Sequence, residues 1–145
     1  MKVSIKGVVI GGIVDILTSV ILGLPFAIYA MSKVDLSRIP SDQASGAVTA
    51  VVRGNAALYL GQLLVGLACS ALGGYVAAWL AKRDEVLNGG LSSVFCVALG
   101  IYAMSSGKDT NALWVQLLLL PAGPVLALCG GDLMRRQRQR HVQTV

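Results

Sequence analysis

The sequence predicts an all-α, polytopic membrane protein, an antiparallel bundle of four transmembrane helices. Three observations predict it. First, hydrophobic residues make up 55% of the 145-residue chain and charged residues 13%, against roughly 25% charged in an average soluble domain. The mean hydropathy is +0.72. Second, the apolar residues are gathered into four long blocks rather than dispersed with the period of a strand or an amphipathic helix. Third, most of the Lys and Arg residues flank those blocks on alternate connections, as topology determinants do.

The first block runs from Gly7 to Ser32 and is interrupted only by Asp15. A secretory signal is the competing reading, with Lys2 and Lys6 as its basic start and Ala27 to Ala30 as a cleavage-like site. The internal aspartate and the length of the block argue against it. Residues 33–53 form the one sizeable connection. In it, Pro40 followed by Ser41 and Asp42 predicts a helix start capped by one of those two side chains, with a short helix over Ala44 to Val52.

The second block, Gly54 to Ala81, has only Arg53 and Lys82 as bordering charges. The "KRDE" link predicts a tight turn into the third block, Val86 to Gly107, and "SSGKDTN" a short link into the fourth, about 110–132. Each block exceeds the roughly 20 residues that a helix needs to cross about 30 Å of hydrocarbon. Short connections make sequential helices antiparallel neighbours. Residues 1–133 thus form a single transmembrane domain, and the basic tail, 134–145, is expected to fray.

With four crossings, Lys2, Lys6, Lys82, Arg83, Arg135, Arg136, Arg138 and Arg140 fall on one side, and Lys33, Arg38, Arg53 and Lys108 on the other. The excess places both termini in the cytoplasm and residues 33–53 outside it. The net charge of +5 comes largely from the tail. Such a run suits anionic lipid headgroups better than nucleic acid, since juxtamembrane arginines both fix topology and attract lipid.

Between Gly61 and Ser93 lie six glycines, where the chain otherwise looks most helical. Each costs roughly 1 kcal/mol of helix propensity in water. In lipid the helix persists, because unwinding would strand backbone groups. Small residues then let helices approach closely. Gln62, Gly66, Ser70, Gly73 and Ala77 share a face of the second span by their spacing, as do Gly89, Ser93, Cys96, Gly100 and Ala103 in the third and Gly7, Gly11, Asp15 and Thr18 in the first. Gly66, Gly73, Gly89 and Gly100 are the packing residues that this spacing selects. The functional alternative is that small residues line a pathway.

Asp15 is the ionisable residue deep inside a span, and such residues are functional candidates. The same depth falls near Gly73 and Gly74, near Ser93 and near the "PAGP" of Pro121 to Pro124. Those two prolines are expected to break or kink the fourth helix and free carbonyls. A protonated Asp15 would donate a hydrogen bond to such a carbonyl or to a serine. It acts either as interhelical glue or as a proton- or cation-coupling group. Gln62 and Gln116, in the outer halves of their helices, are expected to bond to each other. Cys69, Cys96 and Cys129 have no metal spacing, and His141 is the chain's single histidine. Trp79 and Trp114 suit interface anchors. Neither a carboxylate pair nor a phosphate-cradling loop nor a Ser/His constellation is present in the sequence. No cofactor or metal is implied, and the composition points away from an enzyme.

The segment "GGYVAAWLAKRDEVLNGGLSS", Gly73 to Ser93, resembles a hairpin of uncharacterised small bacterial four-helix inner-membrane proteins, in which Gly-Gly-Tyr-Val-Ala ends one helix, a basic pair and a Glu make the turn, and glycine opens the next. The resemblance covers two helices of four and implies an inner-membrane setting without an activity. The chain is also similar, by analogy, to small multidrug-resistance transporters, four-helix dimers with an essential carboxylate in the first helix, where Asp15 is the matching position. It departs from them in having Asp for Glu, a long first loop and no matching aromatic set. The expected function is a non-enzymatic interaction or assembly component, including self-association through a Gly-rich face. The alternative is a small proton-coupled transporter or channel using Asp15.

Overall fold

A computed structural model of the chain describes residues 3–105 and 113–143. The described residues form helices and contain no strand. In order they are α1 (Ile5–Met31), a 3₁₀ turn (Leu36–Arg38), α2 (Ser41–Gly54), α3 (Ala56–Ala81), α4 (Glu85–Ser92), α5 (Val94–Ser105) and α6 (Leu113–Gln143). Among the described residues, four stretches are long and apolar enough to cross a membrane: Ile5–Met31, Ala56–Ala81, Glu85–Tyr102 and Leu117–Arg140. The contacts separate two compact units, one of residues 1–17 and 67–145, the other of residues 18–66.

The larger unit takes the first part of α1, the second part of α3, and α4, α5 and α6. Its largest fully buried side chains are mostly polar: Asn88, Asp15, Ser92 and Ser93, with Cys69. Leu117, Leu118 and Tyr102, by contrast, each expose more than 60% of their surface. A water-soluble domain distributes these residues the other way round. Lipid around the outside makes the arrangement favourable.

Register within this unit fixes the alternation of directions. A Cβ at Gly7 would lie 2.9 Å from the Ala77 carbonyl oxygen, and one at Gly11 2.6 Å from that of Gly73. Later on α1, the Asp15 carboxyl lies beside Ser70. Thus α1 and α3 run antiparallel. Against the third span, α1 runs parallel: Ser4 meets Asn88, Gly12 meets Ser92 and Phe95, and Asp15 meets Cys96. Helix α6 runs with α3 and against α4. Gly123 faces Ser70, Gly130 faces Ala71, and Tyr75 bonds Gln137; Gly131 faces Glu85 and Val86.

Close approach rests on four Gly-Gly pairs, one in each span. Adjacent residues on a helix point about 100° apart, so a pair can serve two directions, as it does in α1, α3 and α6. Gly11 meets Gly73 and Ala77 of α3, while Gly12 meets Ser92 and Phe95. Gly73 meets Gly11 and Asp15, while Gly74 lies against the Ala127 carbonyl of α6. Gly130 lies against the Ala71 carbonyl of α3, while Gly131 meets Glu85, Val86 and Gly89 of α4. In the third span, Gly89 meets Ala127, Gly131 and Gly74, and Gly90 seats the Leu128 side chain. Of the four packing residues selected by spacing, Gly73 and Gly89 are in this layer. Gly100 makes only ordinary contact with Leu120, at 3.4 Å, and Gly66 has open space where a Cβ would stand. Among the described residues, Gly66 therefore marks no close helix approach.

Several boundaries differ from expectation. The third span is not one helix: Ser93 separates α4 from α5. The Ser92 and Ser93 hydroxyls each donate back to the carbonyls of Gly89 and Gly90, at 2.7 Å, and compete with the helical ladder. Helix α6 continues through Pro121 and Pro124 rather than breaking there. It also carries most of the basic tail as helix to Gln143. Arg136 pairs with Asp132 one turn earlier at 2.6 Å, and Gln137 and Arg138 are bonded to other helices, so the tail does not fray where it is described. The link 106–112 lies outside the described residues.

In the smaller unit, α1 contains Pro25 and ends in a turn in which Lys33 and Val34 donate to the carbonyls of Ala30 and Met31. Helix α2 starts earlier than expected, after Pro40, with no side-chain cap from Ser41 or Asp42. Ala44, Ala47, Val48, Val51 and Val52 form its shielded stripe. Asn55 then starts α3, its side-chain oxygen accepting from the N–H groups of Ala57 and Leu58 at 3.1 and 3.3 Å. Gly61 of α3 approaches the Phe26 ring of α1.

The glycine layer gives a direct expectation. Gly74→Val should lower unfolding stability in detergent by about 3 kcal/mol, through overpacking against the α6 backbone. Gly66→Ala, at the open position, should be neutral or stabilise by up to about 1 kcal/mol. Denaturation in mild detergent measures both, and equal effects would refute the assignment of the interfaces.

Candidate functional site

Asp15 follows Gly11 by one helical turn. The approach of α1 to α3 at Gly11 and Gly73 carries its carboxyl into the interior; a Cβ at Gly73 would lie 2.7 Å from the Asp15 Cβ. Asp15 is 2% exposed. Ser70 Oγ of α3 donates to its Oδ1 at 3.5 Å, a long bond, and Cys96 Sγ of α5 donates to its Oδ2 at 3.1 Å. Three helices thus meet at one carboxyl. Cys96 lies in the first turn of α5, which begins at Val94 just after the interruption at Ser93.

The neighbours expected from depth are met in part. Gly73 touches Asp15. The serine is Ser70, because the Ser93 hydroxyl is taken by Gly90. From the PAGP segment, Gly123 approaches Ser70: its Cβ would stand 3.8 Å from the hydroxyl. Pro121 and Pro124 flank that approach, and their ring nitrogens cannot donate to the carbonyls of Leu117 and Leu120. Gln62 is exposed on the part of α3 in the smaller unit. The side chain of Gln116 lies outside the described residues, as do those of Trp114 and His141, so the expected Gln62–Gln116 bond does too. Trp79 is exposed near the end of α3, and Tyr102 near the end of α5.

A second polar cluster was not anticipated. Asn88, fully buried in α4, accepts from the Ser4 backbone N–H at 2.7 Å and donates to the carbonyls of Arg83 and Asp84 at 3.0 Å each. Ser4 is the residue before α1, and its hydroxyl accepts from the Gly7 N–H at 3.3 Å. One side chain therefore fastens the start of α1 to the α3–α4 turn. That turn needs fastening: Lys82 and Asp84 both have positive φ, 57° and 46°, unusual for residues with a Cβ. The signal in the sequence is an amide directly before Gly89-Gly90, inside an otherwise apolar run.

The third cluster ties α6 to the same end. Arg138 Nη1 donates to Glu85 Oε1 at 2.5 Å, and its Nη2 to the Trp79 carbonyl at 3.2 Å. Tyr75 donates from its hydroxyl to Gln137 Oε1 at 2.7 Å. The Arg138–Glu85 pair is largely shielded, with side-chain exposures of 31% and 15%. Arginine in the tail was legible as charge, whereas its partner depends on how the helices pack.

Chemically, these clusters bond and position. Among the described residues no group of His, Cys, Asp and Glu has a geometry that could hold a metal ion, and no buried side-chain nitrogen or oxygen lacks a hydrogen-bond partner. The three cysteines are free thiols. Compared with known proteins, the chain matches no family model, no curated sequence and no solved structure.

Asn88→Ala should cost about 2–3 kcal/mol, because it strands the Ser4 N–H and two carbonyls at once. Ser4→Ala, which removes only the long cap bond, should cost about 0.5–1 kcal/mol. Thermal unfolding of the purified variants compares them, and reversal of that order would show that Asn88 is not the fastener.

Proposed function

We propose that this chain is a small multi-pass inner-membrane protein without enzymatic activity, acting as an interaction or assembly component, in some settings with copies of itself. The observation that carries the reading is the state of Asp15. Its carboxyl is enclosed, and both oxygens accept bonds from residues of other helices, at Ser70 and Cys96. A group so used holds helices together. The Asn88 and Arg138 clusters support the same reading, since each spends its polar atoms on joining elements. The resemblance of the Gly73–Ser93 hairpin to bacterial proteins supports the inner-membrane setting. The cation distribution supports cytoplasmic termini. The bilayer is the principal partner, with anionic headgroups at the basic tail and no role for nucleic acid.

One observation favours proton-coupled transport as the second reading. The third span is interrupted at Ser93, beside the only buried carboxyl among the described residues. Discontinuous helices near an intramembrane carboxylate are how many transporters build ion sites.

Asp15→Asn separates the two. Under the assembly reading it lowers unfolding stability by roughly 1–2 kcal/mol, and proteoliposomes of either form pass no more protons than protein-free vesicles. Proton flux that disappears in the variant, with stability unchanged, would instead establish the transport reading. Tags at both ends should be digested in inverted vesicles and protected in intact cells; a split result would overturn the orientation.

A further inference from the structure

A surface groove lies between the first turn of α4 and the last apolar turns of α6. Two adjoining depressions of about 520 and 540 Å³ share Val86, Leu128 and Arg135. Leu133 extends the apolar floor. The groove sits where the apolar part of the fourth span gives way to arginines, at the end that also carries Lys82 and Arg83.

Its charges are mostly engaged. Glu85 is paired with Arg138, and Asp132 with Arg136. Asp84 accepts from Asn88 through its carbonyl, and it too has partners. Arg135 lines both depressions, and no carboxylate among the described residues pairs with it. The helix that carries it is held in place three residues later, where Arg138 bonds Glu85 and the Trp79 carbonyl. The backbone that carries this exposed cation is therefore ordered before any ligand arrives, which reduces part of the ordering cost of binding.

We propose that this groove seats one glycerophospholipid, with its phosphodiester on Arg135 and an acyl chain against Val86, Leu128 and Leu133. The proposal rests on the membrane reading above and goes beyond a diffuse attraction of the tail for headgroups. The rim carries carboxylates as well as arginines, but Glu85 and Asp132 are neutralised by Arg138 and Arg136, which leaves Arg135 as the cation over the apolar floor. A single cation above apolar side chains at the end of a span matches the two halves of a phospholipid. A soluble phosphate would use the rim alone. Guanidinium suits a phosphodiester because it offers parallel donors to two oxygens.

The test is native mass spectrometry of the full chain in detergent, titrated with dioleoylphosphatidylglycerol. Arg135→Gln should weaken the first lipid bound by about tenfold, the scale of one charge-assisted hydrogen bond. Arg140→Gln, an equal change of charge outside the groove, should leave it unaltered, and Arg135→Lys should retain part of the affinity. Glycerol phosphate should not compete. Equal losses in Arg135→Gln and Arg140→Gln would reduce the effect to tail electrostatics, and full competition by glycerol phosphate would make it a soluble phosphate site; either overturns the proposal. Carbonate extraction of the same variants keeps the two readings apart: release from the membrane sinks the membrane reading, while retention with unchanged lipid binding in Arg135→Gln sinks only the groove.

Discussion

Two helices that meet inside a bilayer exchange one apolar contact for another, so burial of leucine against leucine gains little. What remains is contact between backbones, and it falls steeply with distance. Everything in the larger unit depends on bringing backbones together, and the four Gly-Gly pairs do this. At Gly74 and Gly130 a Cβ would fall on a carbonyl of the neighbouring helix. A pair is needed, rather than one glycine, where a helix has neighbours in more than one direction, as α1, α3 and α6 do. A single small residue opens one direction; the next residue, about 100° around the helix, opens the other.

That closeness has a second consequence. Once the backbones approach at Gly11 and Gly73, side chains one turn away are forced inward whatever their polarity. Asp15 stands at such a place, and so does Ser70. A polar group there is costly if unsatisfied, since neither water nor headgroups reach it. Satisfied, it ties specific partners in a specific register. Asp15 joins three helices and Asn88 joins a helix start to a turn. Glycine supplies proximity, and the polar residues select which proximity is native.

The number of spans and their approximate limits were legible in the sequence, because block length and bilayer thickness are linked by simple geometry. Asp15 was legible for the same reason: a carboxylate in an apolar block stands out. The pairing of helices was not. Stripes drawn at three- and four-residue spacing place Gly66 and Gly100 with Gly73 and Gly89, yet the contacts follow adjacent glycines instead. A stripe model gives each helix one partner, while the structure gives more than one. The interruption at Ser93 was hidden because hydropathy does not register a hydroxyl that bonds back to its own helix. Asn88 was hidden by its company, since an amide beside two glycines reads as turn composition.

The basic end illustrates how tertiary contact overrides local charge. A run with arginines at 135, 136, 138 and 140 repels itself, and alone it would unwind. Here Arg136 turns to Asp132 within the helix, and Arg138 turns across to Glu85 and the Trp79 carbonyl. These bonds extend α6 as a helix beyond its apolar span. They also hold the α3–α4 turn from above while Asn88 holds it from within. Lys82 and Asp84 have left-handed backbones between those two constraints. Each costs of order 1 kcal/mol or more, and a turn this short leaves few alternatives. The sharpness of that turn is what lets Gly74 and Gly89, on either side of it, face one another at the same depth.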